Sequence, residues 1–269
     1  MYPHTDIDNI LKIKSIYSAF EQKINKDCFF KGEYHNFWKI VIVQEGEVGI
    51  TSGSNIYILK KGQAFLHKPM EFHCLWGEAK NNPHIIVLSF EITDMPECSS
   101  GVFEIEDLDY TKNLLHQIRT SFAFQDMCTY GILDASLLDY QLAVKNLELF
   151  LLKTISGKKL QIAPVQTRMT RNYALIVNVL EKNIHKNLSA SEIAQLCNMS
   201  EVNLKKTFSK FTGIGIMNYF NHLKMNKAVS LLAQGLSVGE IASALGFLNQ
   251  NYFSTAFKRI MGSTPSSYR

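Results

Sequence analysis

One hexapeptide occurs twice in the last third of this chain. Ser189-Ala190-Ser191-Glu192-Ile193-Ala194 returns as Ser237-Val238-Gly239-Glu240-Ile241-Ala242, 48 residues later. Each copy has the form Ser-x-x-Glu, in which the serine oxygen accepts a backbone N–H three residues on and the glutamate reaches back to the serine N–H, so each predicts a helix start. After a turn, Leu204, Phe208, Gly213 and Tyr219 reappear as Phe253, Phe257, Gly262 and Tyr268 at an offset of 49, which places one extra residue in the second turn. Helix, short turn, helix is the geometry in which a second helix can enter a DNA major groove while the first braces it on the backbone.

Charge divides the chain at the same place. Residues 165–269 hold 12 Lys and Arg against 4 Glu, a balance of +8, whereas residues 1–164 hold 16 against 20, a balance of −4. A compact basic segment beside a mildly acidic one points to a polyanionic partner for the former, most often nucleic acid. At 269 residues and 46% hydrophobic the chain has enough apolar mass for two packed domains, which excludes disorder. No apolar run approaches the roughly 20 residues that span a bilayer, and the opening MYPHTDIDNILKIK lacks a signal core, so a cytoplasmic, non-membrane protein is expected. Cys28, Cys74, Cys98, Cys128 and Cys197 contain no CxxC and indicate neither a disulfide framework nor a thiolate zinc site.

Between Phe37 and Ile92, short β-rich runs (FWKIVIVQEGEVGIT, NIYILKKGQAFLH, EFHCLWG, HIIVLSFEI) are broken at Glu45-Gly46-Glu47, Gly53-Ser54-Asn55, Lys61-Gly62 and Asn81-Asn82-Pro83. They read as antiparallel strands of a small barrel or sandwich. From Leu108 the period becomes helical. A first helix carries Leu114, Leu115, Ile118 and Phe122. A second, over about Ile132–Ile155, carries the stripe Leu133, Leu137, Tyr140, Val144, Leu147 and Leu151, flanked by Leu138, Leu142, Leu149 and Leu152. The stripe is expected to form a homodimer seam. Residues 156–170 have turn formers and no apolar period and read as a linker, separating a domain over 1–155 from one over 171–269.

In the second helix of the first repeat, Leu204, Phe208 and Phe211 make a buried stripe and leave Glu201, Asn203, Lys205, Lys206, Ser209 and Lys210 outside. The second repeat exposes Asn249, Gln250, Asn251, Ser254, Thr255, Lys258 and Arg259, rich in amides that can pair with adenine edges.

The block from about Asn172 to Arg269 resembles the DNA-binding domain of the AraC/XylS family of bacterial transcription regulators. The likeness is carried by the repeated SxxEIA, by NYFNHLKMNKAVSLL, and by G-F-x-x-Q-x-Y-F-S-x-x-F-K-R-x-x-G-x-T-P-x-x-Y-R from Gly246 to Arg269. The resemblance implies seven helices forming two helix-turn-helix units joined by a long helix, here about Ile216–Ala233. It implies base contacts from Val202, Lys205 and Lys206 in the first unit and from Gln250, Asn251 and Thr255 in the second. A double-stranded DNA operator, RNA polymerase and a second copy of the chain are the partners it implies, with activation as the expected sense of regulation. Three positions depart from the family pattern: His222 stands where arginine is common, Leu248 at a usual capping position, and Thr255 where a longer basic side chain is frequent.

Residues 28–92 resemble, less specifically, the cupin-type β-barrel sensor that precedes this domain in many family members. The echo lies in H-x-F-W-K-I-x-x-V-x-E-G-E from His35, L-K-K-G-Q from Leu59 and P-x-E-F-H from Pro69. The expected whole is an α+β chain: a cupin-like antiparallel barrel with flanking helices for sensing and dimerisation, then an all-α DNA-binding domain. His35, Trp38, Phe65, His73 and Trp76 are expected to line a pocket for a small organic effector. Of the histidines, His35, His67 and His73 are the nearest to a metal set, but no HxH pair occurs, and neither metal nor cofactor is expected. GxSxG, HExxH and phosphate-cradling glycine loops are absent, so no enzyme is expected. Two alternatives stay open: a metal-dependent cupin enzyme fused to a DNA-binding module, and a regulator that needs no effector.

Overall fold

The computed structural model describes residues 11–24, 29–77, 82–93, 100–125, 127–133 and 137–268. The opening segment MYPHTDIDNI, and with it Cys28, Asn81, Cys98 and Arg269, lies outside them.

The described strands are β1 (Lys12–Lys23), β2 (Phe29–Glu33), β3 (Trp38–Glu45), β4 (Glu47–Ser52), β5 (Asn55–Lys60), β6 (Gln63–His67), β7 (His73–Gly77), β8 (His84–Thr93), β9 (Gly101–Glu104), β10 (Phe122–Gln125), β11 (Cys128–Ile132) and β12 (Lys159–Leu160). They form an eight-stranded sheet in the order β10-β11-β1-β8-β3-β6-β9-β12 and a four-stranded sheet in the order β2-β7-β4-β5. Neighbours within each sheet run antiparallel. The runs expected between Phe37 and Ile92 are all strands, with left-handed glycines at the turns, Gly46 at φ 73° and Gly62 at φ 80°. The expected barrel is corrected. Among the described residues the two sheets are not closed on each other by hydrogen-bonded strands and stack as an open sandwich.

Side chains alternate across a strand, and on β3 this alternation separates two cores. Ile40 and Ile42 join Ile86, Leu88 and Phe90 of β8 beneath α1 (Leu108–Ser121) and α2 (Leu137–Ser156). Val41 and Val43 join Ile85 and Val87 and face Val48, Ile50 and Leu59 of the small sheet. The layers are therefore helices, large sheet, small sheet.

The second helix begins at Leu137 rather than near Ile132, which ends β11. Its expected seam divides. Leu147 and Leu151 are fully buried in the chain's own core with Ala143 and Phe150, and Tyr140 and Val144 pack against that core. Leu138, Leu142, Leu149 and Leu152 stay 43–70% exposed. The helix carries more leucine than one stripe holds, and the sheet covers the Leu147 side. Leu147 is thus a core residue of the monomer and not part of a subunit seam.

The span expected as a linker is fastened to the sandwich. β12 pairs with β9, and the Val165 N–H donates to the Ile56 carbonyl at 2.8 Å. The chain then forms α3 (Arg168–Lys182), α4 (Ala190–Leu196), α5 (Glu201–Thr212), α6 (Ile216–Ala233), α7 (Val238–Ala244), α8 (Gln250–Met261) and a 3-10 turn at Pro265–Tyr268. α3, α4, α5 and the start of α6 enclose one core, which includes Ile56 and Cys74 of the small sheet and Phe72 just before β7. The end of α6 (Met225, Ala228, Leu232) encloses a second core with Ile241, Leu245, Phe253 and Phe257.

Truncating Leu147 to alanine is expected to cost about 2–5 kcal/mol of folding stability through the cavity it leaves. Leu142→Ala, on the exposed face, is expected to stay within about 0.5 kcal/mol. Urea denaturation at low protein concentration, where association does not contribute, measures both.

Candidate functional site

Each repeated Ser-x-x-Glu caps a helix as its spacing requires. Ser189 Oγ accepts the Glu192 N–H at 3.3 Å while Glu192 Oε2 accepts the Ser189 N–H at 2.7 Å. The second copy is the same, with Ser237 and Glu240 at 3.3 and 2.8 Å. The glutamates are held below the usual carboxylate range by these bonds, backbone first at Glu192 and the Ser237 side chain first at Glu240. α5 and α8, the second helices of the two units, start at Ser200 and Asn249 and stop at the left-handed glycines Gly213 and Gly262. Four residues lie between α7 and the Asn249 cap but three between α4 and the Ser200 cap, which is the extra residue read from the repeat.

Leu204, Phe208, Phe253 and Phe257 are buried, and the faces expected to meet DNA are open. Val202, Asn203, Lys205, Lys206 and Lys210 on α5 are exposed, as are Asn249, Gln250, Asn251, Thr255 and Lys258 on or before α8, while Ser254 is half-buried. Lys205 pairs with Glu201 one turn back, and Lys206 forms no ion pair among the described residues. Asn249 holds its own helix in place, because its Oδ1 accepts the Tyr252 N–H at 2.8 Å and caps α8. The cap therefore sits at Asn249, and Leu248, 88% exposed, costs the helix nothing.

Two features fix the relation between the units. Lys224 of α6 is buried, and its ammonium donates to the Lys186 carbonyl at 2.7 Å, the Leu245 carbonyl at 2.8 Å and Asn187 Oδ1 at 3.3 Å, between the rings of Phe220 and Phe247. Burial pulls its pKa down to about 8. Gly246, at φ 74°, lies so close to the His185 carbonyl that a Cβ would stand 2.2 Å from that oxygen. The loop before α4 and the end of α7 are thereby locked together. His222, the departure on α6, instead faces the sandwich: its ring stacks on Tyr34 at 5.1 Å, and burial lowers its pKa.

Of the five residues expected to line an effector pocket, only some meet. A cavity of about 80 Å³ lies between the sheets, lined by Phe20, Phe30, Glu33, Lys39, Val41, His67, His73, Cys74, Ile85 and Val87 among others. His73 lines it, His35 Nε2 faces His73 Nε2 at 3.2 Å, and Phe65 stacks on His67 at 4.4 Å. Trp38 and Trp76 are corrected. Trp38 is one residue out of phase with Lys39 and Val41 and packs in the core under α1 and α2. Trp76 is out of phase with Leu75 and tilts against Phe211 of α5 at 5.9 Å. Sequence reading missed Glu33, Lys39 and, as a pocket residue, His67. Glu33 pairs in register with His73 across β2 and β7, so recognising β2 as a strand is the signal that finds it. Cys74 donates its thiol to the Phe30 carbonyl at 3.0 Å, and burial pushes its pKa up. Desolvation lowers His35 and His67 to about 3, so both rings are neutral. Glu71 lies at about 2 despite burial, because the nearby His67 ring and hydrogen bonds from Ser52 and the Lys68 N–H favour its charge.

Residues 193–269 match the family described as a helix-turn-helix domain. Among curated proteins, the chain is 32% identical over 96 residues to the bifunctional transcriptional activator/DNA repair enzyme AdaA of Bacillus subtilis (strain 168), covering 35% of this chain and 46% of that protein. It is 24% identical over 251 residues to the uncharacterized HTH-type transcriptional regulator YfiF of the same organism, covering 87% and 77%. The solved structure of ToxT from Vibrio cholerae O395 aligns over 94% of this chain and 96% of that one at 19% identity and a TM-score of 0.38. The chain thus spans under half of AdaA. Among the described residues no helix is long and apolar enough to cross a membrane.

Replacing Lys224 by methionine keeps the bulk but leaves buried carbonyls without a donor. A loss of about 1–3 kcal/mol is expected, seen by denaturation as a lower midpoint, with DNA binding weakened because the two units no longer hold a fixed spacing.

Proposed function

Residues 193–269 being a helix-turn-helix domain of the AraC type, we propose that the chain is a sequence-specific transcription regulator, an activator acting with RNA polymerase, whose sandwich senses a small ligand. The observation that carries the reading is the pair of capped recognition helices with open basic and amide faces, held by one bridging helix and one buried lysine. α6 has 18 residues, about 27 Å at 1.5 Å per residue, which is comparable with the roughly 34 Å between successive major grooves. Val202, Lys205, Lys206, Gln250, Asn251 and Thr255 are the base readers in this reading, and Asn203, Lys210, Ser254 and Lys258 support them on the backbone. The work is regulation and not catalysis, and it is done where the DNA is, in the cytoplasm.

Dimerisation uses the α2 face Leu138, Leu142, Leu149 and Leu152, steps of four, seven and three that keep these leucines on one side of the helix. The cavity of about 80 Å³ has room for two or three waters at roughly 30 Å³ each. Organic ligand pockets run from roughly 300 Å³. The ligand is therefore an ion or a group of a few atoms unless the sheets part.

Selection from random duplexes by the full chain, followed by binding across single-base variants of the winner, tests the reading. Log affinity is expected to fall with log salt by about 0.9 per phosphate neutralised. Lys206→Ala is expected to relax preference at particular base pairs by about 1–3 kcal/mol, and Lys258→Ala to weaken all sequences alike with a shallower salt slope. Failure of any sequence to enrich would sink the assignment. Leu142→Glu with Leu149→Glu is expected to give a folded monomer by light scattering.

A further inference from the structure

Three acceptor atoms converge beside the cavity between the sheets. The His35 Nδ1–H donates to the Phe37 carbonyl at 2.9 Å and the His73 Nδ1–H to the Glu71 carbonyl at 3.0 Å. A carbonyl only accepts, so each Nδ1 carries its ring's proton and each Nε2 of a neutral imidazole offers a lone pair. The two Nε2 atoms nevertheless face each other at 3.2 Å, and Glu33 Oε1 lies 3.3 Å from that of His73. All three lie within 4.8 Å of one another. Among the described residues, Lys39 bonds to Glu33 and to neither imidazole. Lone pairs aimed at one another repel, and a cation between them removes the conflict.

We propose that Glu33, His35 and His73 bind a divalent transition-metal cation of the zinc, cobalt or nickel class, and that this cation is the ligand the sandwich senses. The second half rests on the sensory reading above. Two nitrogens each 2.0–2.1 Å from a tetrahedral zinc stand about 3.3 Å apart, close to the 3.2 Å between the His35 and His73 nitrogens. Two imidazoles with one carboxylate suit these metals, whereas magnesium and calcium require oxygen sets. The carbonyls of Phe37 and Glu71 orient the rings as the outer partners of metal-bound histidines do. Three protein ligands leave a position for water, for which the cavity has room. His67 adds a polar wall beside the site: it stacks on His73 at 4.4 Å, lines the cavity, and turns its Nδ1 toward Glu71 Oε2 at 3.6 Å.

The ligands adjoin the residues that hold the DNA-binding half. Tyr34, next to His35, stacks on His222 of α6, and Phe72, next to His73, packs edge-on against Tyr219 at 4.8 Å. Drawing β2 and β7 onto a cation acts on these contacts directly.

The full chain, stripped with a chelator and dialysed, is titrated with Co²⁺ and then Zn²⁺. One equivalent per chain is expected, with the intense visible absorption of low-coordinate cobalt bleached by zinc, and no competition from Mg²⁺. Glu33→Gln, on a half-exposed side chain that tolerates change, and His35→Gln are each expected to weaken binding more than about tenfold, with circular dichroism confirming the fold. Absence of stoichiometric uptake, or uptake untouched by both variants, overturns the site. Affinity for the selected duplex, measured with and without Zn²⁺, is expected to change about 5- to 150-fold. Metal uptake with unchanged DNA affinity overturns the cation as the sensed ligand. If no duplex is bound in either state, the regulator reading fails, and the cobalt titration still decides the site.

Discussion

Aromatic residues in and beside β2 and β7 complete the core of the first helix-turn-helix unit. Tyr34 just after β2, Phe72 just before β7 and Trp76 of β7 meet Tyr173, Phe208, Phe211 and Tyr219 from α3, α5 and α6. Such pairs contribute about 0.5–1.5 kcal/mol each beyond the area they bury. Hydrogen bonds reinforce the join: the Tyr173 hydroxyl donates to the Gly53 carbonyl at 2.8 Å, Thr51 to the Phe211 carbonyl at 2.6 Å and the Asn226 amide to the Met70 carbonyl at 3.2 Å. Gly32 has to be glycine for the same reason, since a Cβ there would stand 2.7 Å from the Thr212 carbonyl. Among the described residues, the core of the second unit takes no part. That unit is placed by α6, Lys224 and Gly246 relative to a first unit that the sandwich already holds.

That arrangement divides what sequence could and could not disclose. Capping serines, left-handed glycines and the offsets of the repeat act within a few residues of themselves, and they located α4, α5, α7, α8 and the bounds of α6. The strands from Trp38 to Thr93 are short β-branched and aromatic runs, buried almost throughout and bounded by turn residues, and were equally readable. β1 was not, because register shifts between Ile13 and Ser15 and between Ile16 and Ser18 space its buried residues Ile13, Ile16 and Ala19 by threes, which is a helical signature. Whether Trp38 and Trp76 face the cavity depends on a phase of one residue, and whether Leu147 or Leu142 meets the sheet depends on the rotation of α2. Both are decided by partners distant in sequence. Glu33, His35 and His73 come together only through the pairing of β2 with β7.

Departures from the family pattern acquire physical meanings. Asn249 serves as the cap that Leu248 does not provide, so one of the amides counted for DNA holds its helix instead. His222, where arginine is common, exchanges a long cationic side chain for a flat ring that stacks on the sandwich. The two halves are thus adapted to each other at the position where the bridging helix passes the small sheet.

Between β12 and α3 only residues 161–167 connect the halves, and Val165 among them is bonded to Ile56. A flexible chain of that length spans roughly 15 Å. Should the aromatic join open, the DNA-binding half would remain close to its dock at an effective concentration on the order of millimolar. Docking and release then form a unimolecular equilibrium. Its position is indifferent to how many copies of the protein the cell contains.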